Sequence, residues 1–453
     1  MSRKAKVVVV GVMILTLLLS SCGIPPDEIV NLERASDSGK AQIAWWSHWA
    51  NEPAKQTVIE KIAADYEAEH PDIDIVITWW DKNPLREAVR STMTAGKGAP
   101  DITTFDTSMI EWVEAGWLAD LSDSLPWENL ISAAQKDGVY EGIDGAYKFN
   151  IGFQVDMLLY NPEVFAELGI VVPEDQQFTQ AEFIEVVKTC REAGYAGIAN
   201  AIGNRPYPGR FPFEDALVNL VGVEEFGKYF RGEQSWDTPE ARQVLEWVDA
   251  LAKEGLYPET FAIMTTDEYH KYFHTLQKAC MLYGPTTYTG RAFKPKEEGG
   301  QPPDFRFGLL RYPEMVGAQG NNVLRGGFES GYAVLSTSKH PDVAKDILAF
   351  ASQPRYGALW VAVTNSPSAI LYDQATDWPS EEMLVEMGSE AGKWDWYWEE
   401  FNRVYAPLDV EVTNEGRCGG FDAASVQALN KGLPQGLLTV EEAIELLNSR
   451  LCK

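Results

Sequence analysis

Two hydrophobic periods alternate along most of the chain. Residues 42–46 form a short apolar run and predict a strand. Val58, Ile62 and Tyr66 recur four apart with Ile59 and Ala63 beside them, the spacing of one helix face, and Pro71 stops that helix. Residues 73–79 alternate as a second strand, 85–95 read as a helix ended by Gly96-Lys97-Gly98, and 99–105 read as a third strand. The pattern then recurs. Residues 155–160 and 331–335 predict apolar strands, and 280–283 a strand closed by Gly284-Pro285. Residues 242–253 and 343–352 predict helices. Thr179 with Glu182, and Thr439 with Glu442, have capping-box spacing; after the second, Val440, Ala443, Ile444, Leu447 and Leu451 share one stripe. Residues 294–303, rich in Lys, Glu, Gly and Pro, read as an exposed loop. Strand–helix alternation predicts two α/β units with largely parallel sheets.

The first residues follow neither period. Arg3, Lys4 and Lys6 precede an apolar run over 7–19, too short for a comfortable membrane span and right for a signal-peptide core. Leu19-Ser20-Ser21-Cys22 resembles the bacterial lipobox, in which the peptide is cut before the cysteine and the cysteine carries lipid. The expectation is a signal over 1–21, a lipid on Cys22 that anchors the chain without spanning the membrane, and a tether over 22–40.

Composition narrows the classes. The 453 residues are 45% hydrophobic and 23% charged, an ordinary globular balance, and suggest several domains. A formal charge of −29 lacks the basic footprint of a nucleic-acid binder. Four cysteines remain beyond Cys22, none at metal-site or redox-motif spacing. Cys190 shares a helix face with Phe183, Val186 and Val187 and reads as a small buried hydrophobe. Cys280 lies in a strand. Cys418 and Cys452 are a candidate disulfide pair in an exported protein; pairing of Cys190 with Cys280 stays open at this level.

No catalytic frame emerges. The chain has no GxSxG, GxxxxGK[ST] or HExxH. His270 and His274, four apart, read as a surface pair on a polar helix. No metal or cofactor is called for. The 15 Trp, 18 Tyr and 19 Phe are the unusual feature. Many gather where strands end: Trp45, Trp46 and Trp49; Trp79 and Trp80; Phe105 beside Asp106 and Thr107; Tyr283 and Tyr288 around Gly284-Pro285. In open α/β sheets ligands bind at the carboxyl ends of strands. Flat apolar faces among hydroxyl, amide and carboxylate groups suit a sugar ring. Adjacent Trp on a strand point to opposite faces, so one of each pair is expected to be structural.

Several runs in order carry a resemblance: Tyr66-Glu67-Ala68-Glu69-His70-Pro71-Asp72-Ile73, Gly98-Ala99-Pro100-Asp101-Ile102, Gly116-Trp117-Leu118-Ala119-Asp120-Leu121, Leu159-Tyr160-Asn161-Pro162-Glu163-Val164-Phe165, and Gly326-Gly327 followed by Tyr332-Ala333-Val334. With them the chain after the tether resembles the extracellular solute-binding proteins of bacterial ABC importers, in the maltose-binding-protein-like, carbohydrate-associated family 1. The resemblance implies an α/β fold of type II, two-lobed and periplasmic-binding-protein-like, with the ligand cleft between lobes and several crossovers. Lobe 1 is expected over 41–152 and about 328–375, lobe 2 over 153–327 and about 376–453. It further implies a non-enzymatic monomer that closes on a mono- or oligosaccharide and docks on membrane permease subunits.

Carried over residue by residue, the resemblance implies ligand contacts at Trp46, Ser47, His48 and Trp49 after the first strand, Trp80 and Asp81 after the second, and Asp106 and Thr107 after the third. It adds Gln154, Gly327, Phe328 and Glu329 at the crossings, and Tyr207 and Arg210, with Asn204, in a second-lobe loop. Tyr283, Thr286 and Tyr288 fall at the family's "GPW", where Thr286 replaces the usual Trp. Trp394 and Trp396, with Trp398, fall in a late helix. Two rivals remain. A non-sugar solute such as a polyamine would draw on Asp81, Asp106 and Glu329. A secreted carbohydrate-active enzyme needs two cleft carboxylates.

Overall fold

The computed structural model describes residues 39–106, 109–140, 142–203, 210–318, 323–329, 331–389, 392–405, 409–412, 427–449 and 451. Cys22 and the tether up to residue 38, Thr107, Asn204, Tyr207, Cys418 and Cys452 lie outside them, and so does the side chain of Arg210.

The first sheet grows from local β–α–β units. Strand β1 (Ala41–Ser47) runs into the helix Pro53–Glu69 and then β2 (Ile73–Trp79); the helix Lys82–Ala95 leads to β3 (Ile102–Phe105). Pro53 sits in the first turn of its helix, where its missing N–H costs nothing, and Val58, Ile59, Ile62 and Tyr66 form the buried face. The helix is also what lets β1 and β2 pair in parallel, from Ala41 opposite Ile73 to Ser47 opposite Trp79. β3 joins the other side of β1 in parallel. The sheet closes with an antiparallel strand from far along the chain, β9 (Gly331–Val334), giving the order β2-β1-β3-β9.

The second sheet is mixed. Its centre is β4 (Phe153–Tyr160), antiparallel to β6 (Ala279–Pro285) on one side and to β7 (Gly308–Leu310) and β8 (Val323–Phe328) on the other. β5 (Ala196–Ala199) runs parallel to β6, and β10 (Asp409–Val412) parallel to β8. The predicted largely parallel sheet is therefore corrected for this half: four of its strands meet as antiparallel neighbours because β4 is paired on both flanks. Capping boxes start the helices Gln180–Glu192 and Val440–Asn448, as predicted, and a third, Thr265 with Glu268, starts Thr266–His274.

Three other expectations change. Cys190 is not a lone hydrophobe: it is disulfide-bonded to Cys280, tying the helix Gln180–Glu192 to β6, with Cα atoms 6.2 Å apart. His270 and His274 are buried, not a surface pair, because Tyr288 and Phe305 pack against their helix. Within 294–303 the charged tip Lys296–Glu298 is exposed, yet Gln301 is buried and donates to the Phe305 carbonyl at 3.0 Å.

The chain passes between the sheets more than once. Phe149 bridges to Tyr332 in the first half, and four residues later β4 belongs to the second. β8 ends at Phe328 and β9 starts at Gly331. After the helices Pro341–Ala351 and Pro354–Thr364, Ser368 bridges back to Gly152. Glycine is needed at these passages for close approach: a Cβ on Gly152 would meet the Trp360 ring at 2.7 Å, and one on Gly331 would collide with the Phe149 carbonyl oxygen. The result is a two-lobed α/β fold with paired crossing strands.

Candidate functional site

A cleft of about 980 Å³ lies between the two sheets. Its position follows from topology. β1 has parallel neighbours on both sides, so the chain reverses direction of travel across the sheet there, and loops diverge at the carboxyl ends of β1 and β3. His48, Trp49 and Asp106 lie at those ends and line the cleft, as do Asp81 and Lys82 after β2. Opposite them stand the ends of the parallel pair β5–β6, with Asn200, Ala201 and Ile202 after one and Tyr283, Gly284 and Pro285 at the other. Gln154, Phe328 and Glu329 line it at the crossings. A separate depression of about 640 Å³, lined by Val223, Glu224, Lys228 and Tyr229, sits wholly on the second lobe.

The two walls differ in chemistry. The first-lobe wall is ionic. Lys82 Nζ lies 3.1 Å from the Asp106 carboxylate, and Arg86 bonds the same oxygen. Asn51 donates to Asp81 at 2.8 Å. Lys55, buried, is held between Glu52 at 2.7 Å and Glu329, with the Trp49 and Trp360 rings beneath it. Burial pushes Glu52 up, but Lys55 and Arg291 outweigh it, so its carboxyl sits below the ordinary value. At Glu329 burial wins over Lys55, and the carboxyl is raised. Burial, helped by Lys82, lowers His48 to about 3, so its ring is neutral at neutral pH, and its Nδ1 lies 3.2 Å from the Thr104 hydroxyl.

The second-lobe wall is richer in rings, although Asp156, Asp267, Arg291 and Lys294 also line it. Tyr257 and Phe261 stack with centroids 4.1 Å apart and planes 2° from parallel. Phe211 stacks on Tyr283 at 5.2 Å. Tyr257 donates its hydroxyl to the Phe211 carbonyl at 2.7 Å, which locks the two ring pairs together. Behind them Glu214 pairs with buried Arg325, and burial raises the Asp215 carboxyl well above its ordinary range.

Among the described lining residues six are acidic (Glu52, Asp81, Asp106, Asp156, Asp267, Glu329) and six are Lys or Arg (Lys55, Lys82, Arg86, Lys148, Arg291, Lys294). In a chain of charge −29, the described lining of the cleft is thus balanced in charge.

Of the residues singled out from sequence, the cleft brings together His48, Trp49, Asp81, Asp106, Gln154, Tyr283, Phe328 and Glu329. Others sit elsewhere. Trp45 and Trp46 do point to opposite faces, but both faces are covered: Trp45 packs with Ile43 and Ile62, Trp46 with Leu85 and Trp112, and Trp46 is 1% exposed. Trp80 tilts against Trp46 at 5.0 Å. Ser47 shares a buried hydrogen bond with the Tyr332 hydroxyl at 2.8 Å. Thr286 accepts from the Val155 amide at 3.3 Å, and Tyr288 is hydrogen-bonded to His274 at 3.1 Å. Gly327 pairs opposite Gln154 in the sheet. Trp394 stacks on Phe293 at 3.7 Å, and Arg306 covers Trp396 at 4.9 Å. None of these nine lines the cleft among the described residues.

Sequence reasoning missed the Tyr257–Phe261 stack and Phe211. No strand end marks them; they reach the cleft from a loop after the helix Pro239–Lys253 and from the segment before residue 215. Lys82 and Arg86 had a signal: they lie one helical turn apart at the start of the helix that follows β2.

Two α/β lobes joined by paired crossings, with a deep cleft between them, define a binding protein that encloses its ligand. Over residues 49–358 the chain matches the bacterial extracellular solute-binding proteins, and it belongs to that family. It is 24% identical over 336 residues to an ABC transporter extracellular-binding protein of Pyrococcus horikoshii, covering 70% of this chain and 71% of that one. It is 23% identical over 335 residues to an arabinooligosaccharide-binding protein of Halalkalibacterium halodurans, covering 68% of each. A solved chitin oligosaccharide binding protein superposes with a TM-score of 0.70 at 19% identity, covering 90% of this chain and 98% of the other.

Proposed function

We propose that this protein captures a neutral oligosaccharide between its lobes and delivers it to the permease subunits of an ABC importer. The observation that carries this reading is a ring-lined cleft whose charges cancel. A polyamine would call for excess carboxylate and an acidic solute for excess cation; six against six favours a polar, uncharged ligand. The half-buried rings of Tyr257 and Phe328 supply stacking, with Phe211, Phe261 and Tyr283 packed behind, and the carboxylates, amides and cations supply hydroxyl partners. A volume of about 980 Å³ lies at the upper end of the roughly 300–1,000 Å³ of ligand pockets, which favours more than one sugar unit. The oligosaccharide ligands named for the arabinooligosaccharide and chitin oligosaccharide relatives point the same way.

In this reading His48, Asp81, Asp106, Gln154, Phe328 and Glu329 contact the ligand, joined by half-buried Tyr257, while Trp49, Tyr283, Phe261 and Phe211, each at most 4% exposed, brace the wall from behind. Lobe 1 comprises residues 41–152 with about 328–375, and lobe 2 residues 153–327 with about 376–453. The protein acts as a monomer on a lipid anchor at Cys22, its body outside the cytoplasm. The chemistry is capture without turnover.

A thermal-shift screen tests the assignment, because a ligand that binds only the folded state raises Tm by mass action. Neutral arabino-, xylo- and chito-oligosaccharides are set against spermidine and uronate oligomers. A shift with a neutral oligosaccharide, and no product on prolonged incubation, supports capture of sugar. A shift with spermidine alone overturns the sugar assignment, and sugar cleavage overturns the binding-only role.

A further inference from the structure

We propose that Arg291 is a positioning residue that latches the lobes together by completing a buried charge set which the first lobe leaves unbalanced. The proposal rests on the two-lobed fold and not on the identity of the solute.

The imbalance is local. Glu52, at the start of the helix Pro53–Glu69, and Glu329, at the crossing after β8, share the single ammonium of Lys55. All three side chains are at most 14% exposed. Two carboxylates against one cation leave one negative charge withdrawn from water, which is costly unless a further cation arrives. That cation comes from the other lobe. Arg291, in the turn Thr289–Ala292 after β6, places Nη2 3.9 Å from Glu52 and Nε 3.5 Å from Asp267. Its guanidinium favours the ionised forms of both Glu52 and Glu329. Asp267 is 70% exposed and lies on Arg291's own lobe, so water can solvate it when the lobes part. Glu52 and Glu329 then lose their second cation as they gain solvent.

Lobe apposition therefore exchanges hydration of these carboxylates for Arg291. The same contact also aims Arg291 along the cleft wall, where it lines the site. A contact that favours the apposed state raises apparent ligand affinity by raising the competent fraction, whatever the ligand.

The test needs no ligand. Energy transfer is measured on the ligand-free protein between dyes on unnatural amino acids at exposed Glu87 of lobe 1 and Val171 of lobe 2. Arg291→Gln is expected to raise the open-to-closed ratio about fivefold, the effect of a partly buried ion pair, and Arg291→Lys to recover part of it. The double variant Glu52→Gln/Arg291→Gln, balanced again, is expected to return toward the wild-type distribution. Asp267→Asn, at an exposed site that leaves folding alone, frees Arg291 for Glu52 and is expected to shift the distribution toward closed. An unchanged distribution in Arg291→Gln, or in Asp267→Asn should the first variant not fold, overturns the latch. These outcomes are independent of the solute screen: a sugar that binds with no Arg291 effect sinks the latch alone, and a latch seen with spermidine as the only ligand sinks the sugar assignment alone.

Discussion

The walls of the cleft solve one problem in two ways. The first lobe offers charges already spent on one another: Lys82 and Arg86 on Asp106, Lys55 on Glu52 and Glu329. The second offers ring faces braced by a hydroxyl, Tyr257 onto the Phe211 carbonyl. Paired charges keep acceptors and donors fixed with no net field, so they can meet hydroxyls without selecting an ion. Stacked rings give apolar area at little entropic cost, because two rings that already pack need not be ordered by the ligand. On the proposed function, orientation and affinity are divided between the lobes. An open protein would then hold its ligand mainly on the second lobe, and closure would add the first.

The contrast can be broken from several directions. The largest expected change tests where the rings are. Trp46→Ala removes a fully buried core ring and is expected to cost about 3–5 kcal/mol, read as a large fall in Tm, with ligand affinity of the folded fraction kept. Tyr257→Ala attacks the ring wall and is expected to weaken oligosaccharide binding about thirtyfold, near 2 kcal/mol, with a moderate fall in Tm because the brace onto the Phe211 carbonyl is lost; titration calorimetry reads the affinity and a thermal melt the Tm. Asp106→Asn leaves Lys82 and Arg86 without their carboxylate. A neutral ligand is expected to bind about tenfold more weakly, and a uronate oligomer to gain salt-sensitive binding, read by titration at two ionic strengths. The smallest effect concerns pH. His48 is lowered to about 3 and His274 to about 4, each chiefly by burial. A histidine depressed on folding contributes stability above its unfolded value near 6.5, and that contribution is lost as pH falls toward the folded value. Melts between about pH 7 and 4 are expected to show Tm falling, and His48→Gln to flatten part of the slope.

The same contrast explains what the sequence made legible. In the first lobe the elements are local: 73–79 was visible by alternation, and the strand ends that carry His48, Asp81 and Asp106 followed from it. Periodicity tells which face of a strand is apolar but not whether both faces are covered, so Trp46 read as a ligand ring when helices bury it on its own side. The second-lobe wall depends on distant pairings. Phe211 and Tyr257 meet across 46 residues, and Cys190 and Cys280 across 90, with no local pattern to announce either. His270 and His274 sit on a helix polar enough to look exposed, yet Tyr288 and Phe305 cover them from other elements.

On the proposed function, an uncharged solute is held by the ring wall while the opposing charges satisfy each other. Calorimetric titration of wild type and Tyr257→Ala with the neutral oligosaccharide of largest thermal shift, at about 0.05 and 0.5 M salt, addresses it most directly. Wild-type affinity is expected to stay within about twofold across the two salt concentrations and to be about thirtyfold weaker in the variant. Affinity that collapses with salt, or is indifferent to Tyr257, would rule this assignment out.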